Sequence, residues 1–442
     1  MTAKKLITAL SLATCLSLAL AGCGDSRAGG DTAGGGAAAR GGTMGADGVF
    51  RVNADGCPPD ASEPLPDGAP IKVGVSMALS GPLAAVGAPN IDGLRAVFAA
   101  ANDEGGIDGH PIELVVKDDA YDPARATANA QAFTGQDKVF ATLLQISNAS
   151  IIATRPIYEA ACVPQLGTIS QHKEAADPER HAWTTVTIPP AVTEAEAAAE
   201  YLAKVHPQGA VMEFRQQVTL GEDWAQVFPG AAQRRGLRLL EVQHIAPTET
   251  NLDAPAAKLT ASGADAVMAE VQGPMCVSLL QSLAKAGFKG SVVLTSACNG
   301  AKQFMQPLGK AADGVAALFF QKDPSTPSAR TDPGMKRYFD DLAKYQPKAD
   351  PTVTMTLNGY EAGNLLVHNL RAAARMEGGL TRVNLMNAAW NAQVERTTFL
   401  QPKQSINGPK YPYIINDVTV QTYDAATGDW KPTGVVYTHR AE

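Results

Sequence analysis

Short runs of β-branched and aliphatic residues alternate along this chain with longer stretches whose apolar positions recur every three or four residues. The first such series predicts strands at Ile71–Val75, Ile112–Val116, Val139–Leu143 and Pro164–Gly167, separated by helices at Ile91–Asn102, Pro123–Phe133 and Ile151–Ala160. Pro123 suits the first position of its helix, whereas Pro156 falls inside a helical pattern and is expected to kink it. A second series places helix Glu194–Val205 before strands Ala210–Phe214, Leu237–Gln243, Ala266–Val271, Ser291–Leu294 and Gly314–Phe319. Helices Trp224–Gln233, Ala254–Ser262, Val277–Ala286 and Lys302–Leu308 are expected among them. Val353–Ala374 and the region Leu385–Gln393 also read as helices, and Tyr413–Tyr423 alternates like an exposed strand. Apolar strands joined by helices predict an α/β protein with two doubly wound parallel-sheet lobes. In such sheets ligands bind beyond the carboxyl ends of the strands, so the loops after each strand are the places to look for function.

Composition agrees with a folded core: 45% of the 442 residues are hydrophobic and 18% charged. Lys and Arg number 37 against 44 Asp and Glu, a net charge of −7. That balance offers no basic excess for a phosphate backbone, and no nucleic-acid partner is expected.

The first sixty residues read differently. Lys4 and Lys5 precede an apolar run from Leu6 to Ala21, 16 residues long. A bilayer span needs roughly 20, so this is the layout of a secretory signal. The run ends in Leu20-Ala21-Gly22-Cys23, which resembles the lipobox of bacterial lipoproteins. That resemblance implies cleavage of a signal peptide 1–22 and diacylation of Cys23, leaving residues 23–442 with a charge of −9. From Gly24 to Gly56 there are 11 glycines in 33 residues and few large apolar ones. Residues 23–66 are therefore expected to be a lipidated cysteine followed by a flexible tether.

With Cys15 in the signal and Cys23 carrying lipid, Cys57, Cys162, Cys276 and Cys298 remain. Outside the cytoplasm an even number favours disulfides, and four cysteines allow three pairings. Cys276 and Cys298 each follow a predicted strand; if those strands are parallel neighbours, the two pair, and Cys57 is left with Cys162. The alternative is buried reduced thiols. No cysteine spacing matches a zinc site.

The ordered set Ile71-Lys72-Val73-Gly74-Val75, Leu79-Ser80-Gly81-Pro82, Ile91-Asp92-Gly93, Asn102-Asp103-Glu104-Gly105-Gly106-Ile107-Asp108-Gly109 and Asp118-Asp119-Ala120-Tyr121-Asp122-Pro123 resembles the branched-chain-amino-acid (Leu/Ile/Val-type) substrate-binding proteins of ABC importers. These are type I periplasmic binding proteins. Gly-Ala-Asp-Ala-Val at 263–267 and Asn358-Gly359-Tyr360-Glu361-Ala362 are later landmarks. The resemblance implies lobes joined by three crossovers near 188–193, 320–324 and 408–413, with a hinge and a ligand cleft between them. Lobe 1 would comprise 67–190 plus 321–412, and lobe 2 would comprise 191–320 plus 413–442. Read for themselves, the glycines at 105, 106 and 109 are turn residues, and Asp118 and Asp119 cap or bridge loops at a strand end.

The resemblance also implies a site. A hydroxyl residue and free backbone N–H groups at a helix start after the third strand would hold the ligand carboxylate; here that place offers Ser147, Asn148 and Ser150. Capping of that helix by Ser147 or Asn148 is an equally good reading, and both roles are compatible. Ile169, Ser170 and Gln171 match the contact after the fourth strand, and Ser80 borders the same cleft. From the second lobe Phe214, Leu220, Gln272 and Asn299 are expected to face the ligand. Amino-acid binders place an acid there for the ligand ammonium, yet Ser296-Ala297-Cys298 stands at the matching place. A neutral or acidic small molecule is then favoured over an ordinary branched-chain amino acid, with Arg215 as a partner for a carboxylate. Glu213 or Glu270 would substitute for the missing acid only by facing the cleft.

No GxSxG elbow, HExxH or phosphate-binding Gly loop is present, and the seven histidines show no ligand spacing. His172, beside Gln171, reads as a hydrogen-bonding wall residue rather than a catalyst. No enzymatic activity, metal or cofactor is expected. The expectation is an extracytoplasmic lipoprotein, monomeric and membrane-anchored, that captures a small polar organic ligand such as an amino acid, amide or carboxylate for an ABC permease. A sensor module signalling to a membrane partner is the alternative, which neighbouring permease or kinase genes would decide.

Overall fold

The computed structural model describes residues 40–81 and 83–439. The signal segment, Cys15 and the Cys23 lipid site lie outside the described residues. A hairpin of β1 (Gly42–Met44) and β2 (Phe50–Val52) precedes β3 (Ile71–Met77), α1 (Ala84–Asp103), β4 (Ile112–Asp118), α2 (Pro123–Ala132), β5 (Ala141–Leu143), α3 (Asn148–Ala161), β6 (Gln165–Thr168) and β7 (Thr184–Val186). The second series is α4 (Ala191–Val205), β8 (Ala210–Gln216), α5 (Thr219–Arg234), β9 (Arg238–Ile245), α6 (Asp253–Ala261), β10 (Ala266–Glu270), α7 (Pro274–Ala286), β11 (Ser291–Leu294) and β12 (Ala316–Phe319). Then come α8 (Pro327–Thr331), α9 (Lys336–Tyr345), α10 (Thr354–Ala374), α11 (Arg382–Trp390), the strand pair β13 (Gln393–Glu395) and β14 (Lys403–Ser405), β15 (Asp417–Asp424) and β16 (Asp429–Thr438).

The first sheet runs β4-β3-β5-β6-β7, all parallel. The second runs β9-β8-β10-β11-β12 in parallel and continues with β15 and β16, both antiparallel to their neighbours. The second sheet is thus mixed rather than purely parallel: after α8–α11 and the β13–β14 pair the chain re-enters it beside β12 in the opposite direction and then doubles back. In each sheet the strand order reverses beside its first strand, between β3 and β5 and between β8 and β10, and loops diverge there to leave a crevice.

One apolar cluster joins Val73, Val75 and Leu143 to Leu94 of α1, Leu357, Tyr360 and Leu366 of α10, and Leu385 and Trp390 of α11. Late helices therefore complete the core of the first sheet. α1 and α10 cross where Gly93 meets Thr356 and Gly359 meets Asn90; a Cβ at Gly359 would lie 2.0 Å from the Asn90 carbonyl oxygen. Asn358 Nδ2 donates to Asn90 Oδ1 at 2.9 Å beside that crossing. Two further clusters cover the two faces of the second sheet, one around Phe214, Leu259 and Leu279, the other around Ala198, Trp224 and Phe228.

The tether expected through residue 66 is corrected from residue 40 onward. Phe50 is fully buried, its ring lies edge-on to Trp390 with centroids 5.7 Å apart, and its amide donates to Asn391 Oδ1 at 3.0 Å. Glycine-rich composition hid this, because burial of Phe50 and Val52 anchors the segment. The expected helix Lys302–Leu308 is also corrected: irregular turns of a π type (Ala301–Met305) and a 3-10 type (Gln306–Ala312) replace it, the latter broken at Gly309, which has φ 54°. Both disulfides form, Cys57–Cys162 with Cα atoms 5.7 Å apart and Cys276–Cys298 at 5.8 Å. The second follows from the parallel pairing of β10 with β11, which sets the residues after both strands at one sheet edge.

Candidate ligand-binding site

At the carboxyl ends of the first sheet, Ser80 Oγ donates to Asp118 Oδ2 at 2.5 Å, while the amides of Leu79 and Ala120 donate to Asp118 Oδ1 at 2.9 Å. The Ser80 hydroxyl leads these donors in holding the Asp118 carboxyl down at about 2. Ser80 is exposed at this edge, and Asp118 acts as the loop bridge its position suggested.

Ser147 sits at φ 90° and accepts from the Ser150 amide at 3.3 Å, so it caps α3. The Ser150 hydroxyl is buried and has no partner among the described residues. Asn148 Oδ1 accepts from Ser170 Oγ at 3.1 Å, and Ser170 Oγ in turn accepts from the His172 amide at 3.1 Å. Ile169 is half-buried and forms an isolated parallel bridge with Ile146. Ser147, Asn148, Ser150, Ile169, Ser170 and Gln171 therefore converge where the loops after β5 and β6 meet.

Gln171 reaches across to the second series. Its Nε2 donates to Glu194 Oε1 at 2.9 Å, and its Oε1 accepts from Trp224 Nε1 at 3.3 Å. Glu194 stands in the first turn of α4, where it is fully buried. It also accepts from Ser296 Oγ at 2.5 Å and from the Ser296 amide at 3.3 Å. Burial pushes its carboxyl up to about 7 against the pull of these donors. One turn into α5, Asp223 Oδ1 lies 3.8 Å from His172 Nε2, and burial raises Asp223 to about 6 although His172 opposes the rise. The loops after β6 and β11 and the starts of α4 and α5 are thus stitched together around Gln171 and Glu194.

Sequence reasoning missed Glu194 and Trp224. A Glu in a first helical turn ordinarily reads as a dipole partner in water, and nothing local signals its burial.

The expectations for the second lobe need correction. Phe214 is fully buried among Met212, Leu252 and Val271 in the core. Leu220 packs against the apolar cluster beneath α4 and α5. Asn299 Nδ2 is spent on the Leu318 carbonyl at 3.0 Å. Gln272 is half-buried beyond β10, its amide donating to Gln216 Oε1 at 3.2 Å. Arg215 is no free partner for a carboxylate. It pairs with Glu213 and, at 2.7 Å, with Glu270 Oε2. Burial and then the neighbouring Glu213 carboxylate drive the Glu270 carboxyl well above its usual range, and its Oε1 has no partner among the described residues.

Among the described residues no group of three or more His, Cys, Asp or Glu side chains is placed to hold a metal ion, and no helix is long and apolar enough to cross a membrane.

Residues 70–426 match the family profile described as periplasmic binding protein. The chain belongs to that family. Periplasmic binding proteins are extracytoplasmic binding components rather than enzymes, a setting that suits two disulfides. The chain is 26% identical over 226 residues to Leu/Ile/Val-binding protein homolog 2 of Brucella abortus, covering 51% of this chain and 60% of the relative. It is 24% identical over 199 residues to homolog 3 of Brucella melitensis, covering 45% and 54%. The chain thus spans little more than half the length of these relatives.

Solved structures share the fold over almost their whole length. A branched-chain amino acid ABC transporter protein from Thermus thermophilus with bound valine gives a TM-score of 0.74 at 18% identity, covering 85% of this chain and 98% of that one. A fatty acid ABC transporter substrate-binding protein from Thermomonospora curvata gives 0.72 at 19%, covering 90% and 97%. An ABC transporter solute-binding protein from R. palustris in complex with 4-hydroxybenzoate gives 0.68 at 18%, covering 84% and 96%.

Proposed function

We propose that this periplasmic binding protein is the solute-binding component of an ABC importer, anchored through Cys23, and that it closes two lobes over a small polar organic ligand. The observation that carries the reading is the stitching of Gln171, beyond β6, to Glu194 and Trp224 at the starts of α4 and α5. A ligand held there touches both lobes, and its binding energy then favours the closed form that a permease recognises.

The α3 start, with the unpartnered Ser150 hydroxyl and the N-terminal amides, suits a carboxylate. Glu194 brings an acid against Ser296, the neighbourhood in which an amino-acid binder needs one. A ligand carrying a carboxylate and an amine or amide donor therefore fits better than a purely acidic one. Fatty acid and benzoate cargoes of structural neighbours mark the range that this fold accommodates.

A thermal-shift screen of the mature protein over amino acids, short amides and aromatic or aliphatic carboxylates tests the reading. A ligand at 100 times its Kd adds about 2.7 kcal/mol of stability, a readily measured rise in melting temperature. Amino acids or amides should stabilise most. A response confined to ligands lacking any amine or amide donor would remove Glu194 from the ligand contacts.

A further inference from the structure

C-terminal to the crossing of α1 with α10, a cavity of about 200 Å³ opens between these helices and α9. α1 begins beyond the carboxyl end of β3 and runs back for 20 residues, about 30 Å, so Glu104 at its far end is a full helix length from the cleft loops. A water's share of the liquid is about 30 Å³, and the space therefore suits an anion of about six or seven heavy atoms.

The lining is cationic. On α10, His368, Arg371 and Arg375 follow one another at spacings of three and four, which sets them on one helical face. Glu104 Oε1 accepts from Arg337 Nη2 at 3.1 Å and its Oε2 from Arg371 Nη2 at 2.8 Å, so one carboxylate already bridges two guanidiniums at the wall. Asp341, the other acid of the lining, accepts from the Tyr360 hydroxyl at 2.6 Å and lies 3.5 Å from Arg337 Nε. The Arg375 guanidinium also lines the space but has no hydrogen bond or ion pair among the described residues. Beside it His368 is half-buried, and burial first, then the Arg375 and Arg396 charges, lower its pKa. Ala100, Ala101 and Ala372 line the remaining wall and leave the volume open.

We propose that this cavity, remote from the interlobe cleft, binds a small oxyanion bearing a carboxylate or phosphate group, held by Arg375 beside the Arg371–Glu104–Arg337 bridge. A guanidinium presents a planar fork of donors that matches either group, and Arg375 is exposed, so that fork is reachable from solvent.

Calorimetric titration of the mature protein with inorganic phosphate and with succinate, against sodium chloride at matched ionic strength, tests the assignment and separates the two anion types. Saturable binding of at least one probe is expected, weakened tenfold or more by Arg375→Ala and partly kept by Arg375→Lys, with the anion-free melting temperature unchanged in both. Asn148→Ala, in the cleft, should leave anion binding intact. Absence of saturable binding, equal affinity in wild type and Arg375→Ala, or loss of binding in Asn148→Ala would each overturn the proposal.

Discussion

Ser296 Oγ donates to Glu194 Oε1 at 2.5 Å, joining the loop after β11 to the first turn of α4, and Gln171 adds a second donor from the loop after β6. This carboxyl is buried, and its value of about 7 lies above the 4.5 of an unperturbed Glu. The folded state therefore holds a proton that the unfolded chain releases between pH 4.5 and about 7. Stability from this group is present below pH 4.5 and lost as pH rises through 7, a difference on the order of 3 kcal/mol. Glu194→Gln keeps the shape without the ionisation. Urea unfolding should show wild type and variant close together at pH 4.5, with the variant the more stable at pH 8. A gap independent of pH would mean that Glu194 stays ionised when folded.

Asn148 accepts from Ser170 and stands at the start of α3, a structural place that the proposed function also sets against the ligand. Asn148→Ala should weaken binding of the ligand found by screening by more than the ~1 kcal/mol of a neutral hydrogen bond, about fivefold or more in Kd. Affinity unchanged alongside a lower melting temperature would confine Asn148 to holding the α3 loop.

The start of α3 and its cap were legible because their parts are local. A strand followed at once by Ser147-Asn148-Ala149-Ser150 and a helical pattern fixes a helix start and its donors without knowledge of anything distant. The second half of the site was not legible. Glu194 finds Gln171 across 23 residues and Ser296 across 102, so its burial depends on how two sheets meet. Arg215 looked free because Glu270 becomes its neighbour only through the pairing of β8 with β10, although Glu213, two residues earlier on the same strand face, was a visible warning. The landmarks Ile91-Asp92-Gly93 and Asn358-Gly359 were legible as residues and opaque as structure until α1 and α10 crossed on them.

That crossing makes Gly359→Ala a sharp substitution. The new Cβ would sit 2.0 Å from a backbone oxygen that cannot rotate away, forcing the helices apart. A loss of about 2 kcal/mol or more is expected, read as a lower melting temperature. Gly135→Ala, where no atom lies within 4 Å of the added Cβ, should change it little. Equal melting temperatures for the two variants would show that α1 and α10 can separate at low cost.

The anchor rests on Leu20-Ala21-Gly22-Cys23 alone. Cys23→Ser should abolish metabolic labelling by fatty acid and move the protein from the membrane to the soluble fraction, since stable attachment needs more than one acyl chain. Persistent labelling of the variant would refute the lipobox reading.

Arg215 lies between Glu213 and Glu270, which are 2% and 0% exposed. Arg215→Met would leave two carboxyls in a dry site with no counter-ion, and breaking such a buried set costs about 3–5 kcal/mol. The loss should depend on pH with a definite sign. Without the guanidinium, which opposes the rise at Glu270, that buried acid binds its proton still more tightly when folded than unfolded, so the variant's stability falls more steeply as pH rises above the usual Glu value of roughly 4.3. Unfolding at pH 8 should show a larger deficit than at pH 5, and adding Glu213→Gln and Glu270→Gln should recover part of it. A deficit equal at both pH values would mean that Arg215 contributes by packing against the α5 turn at Gly221 and not by charge.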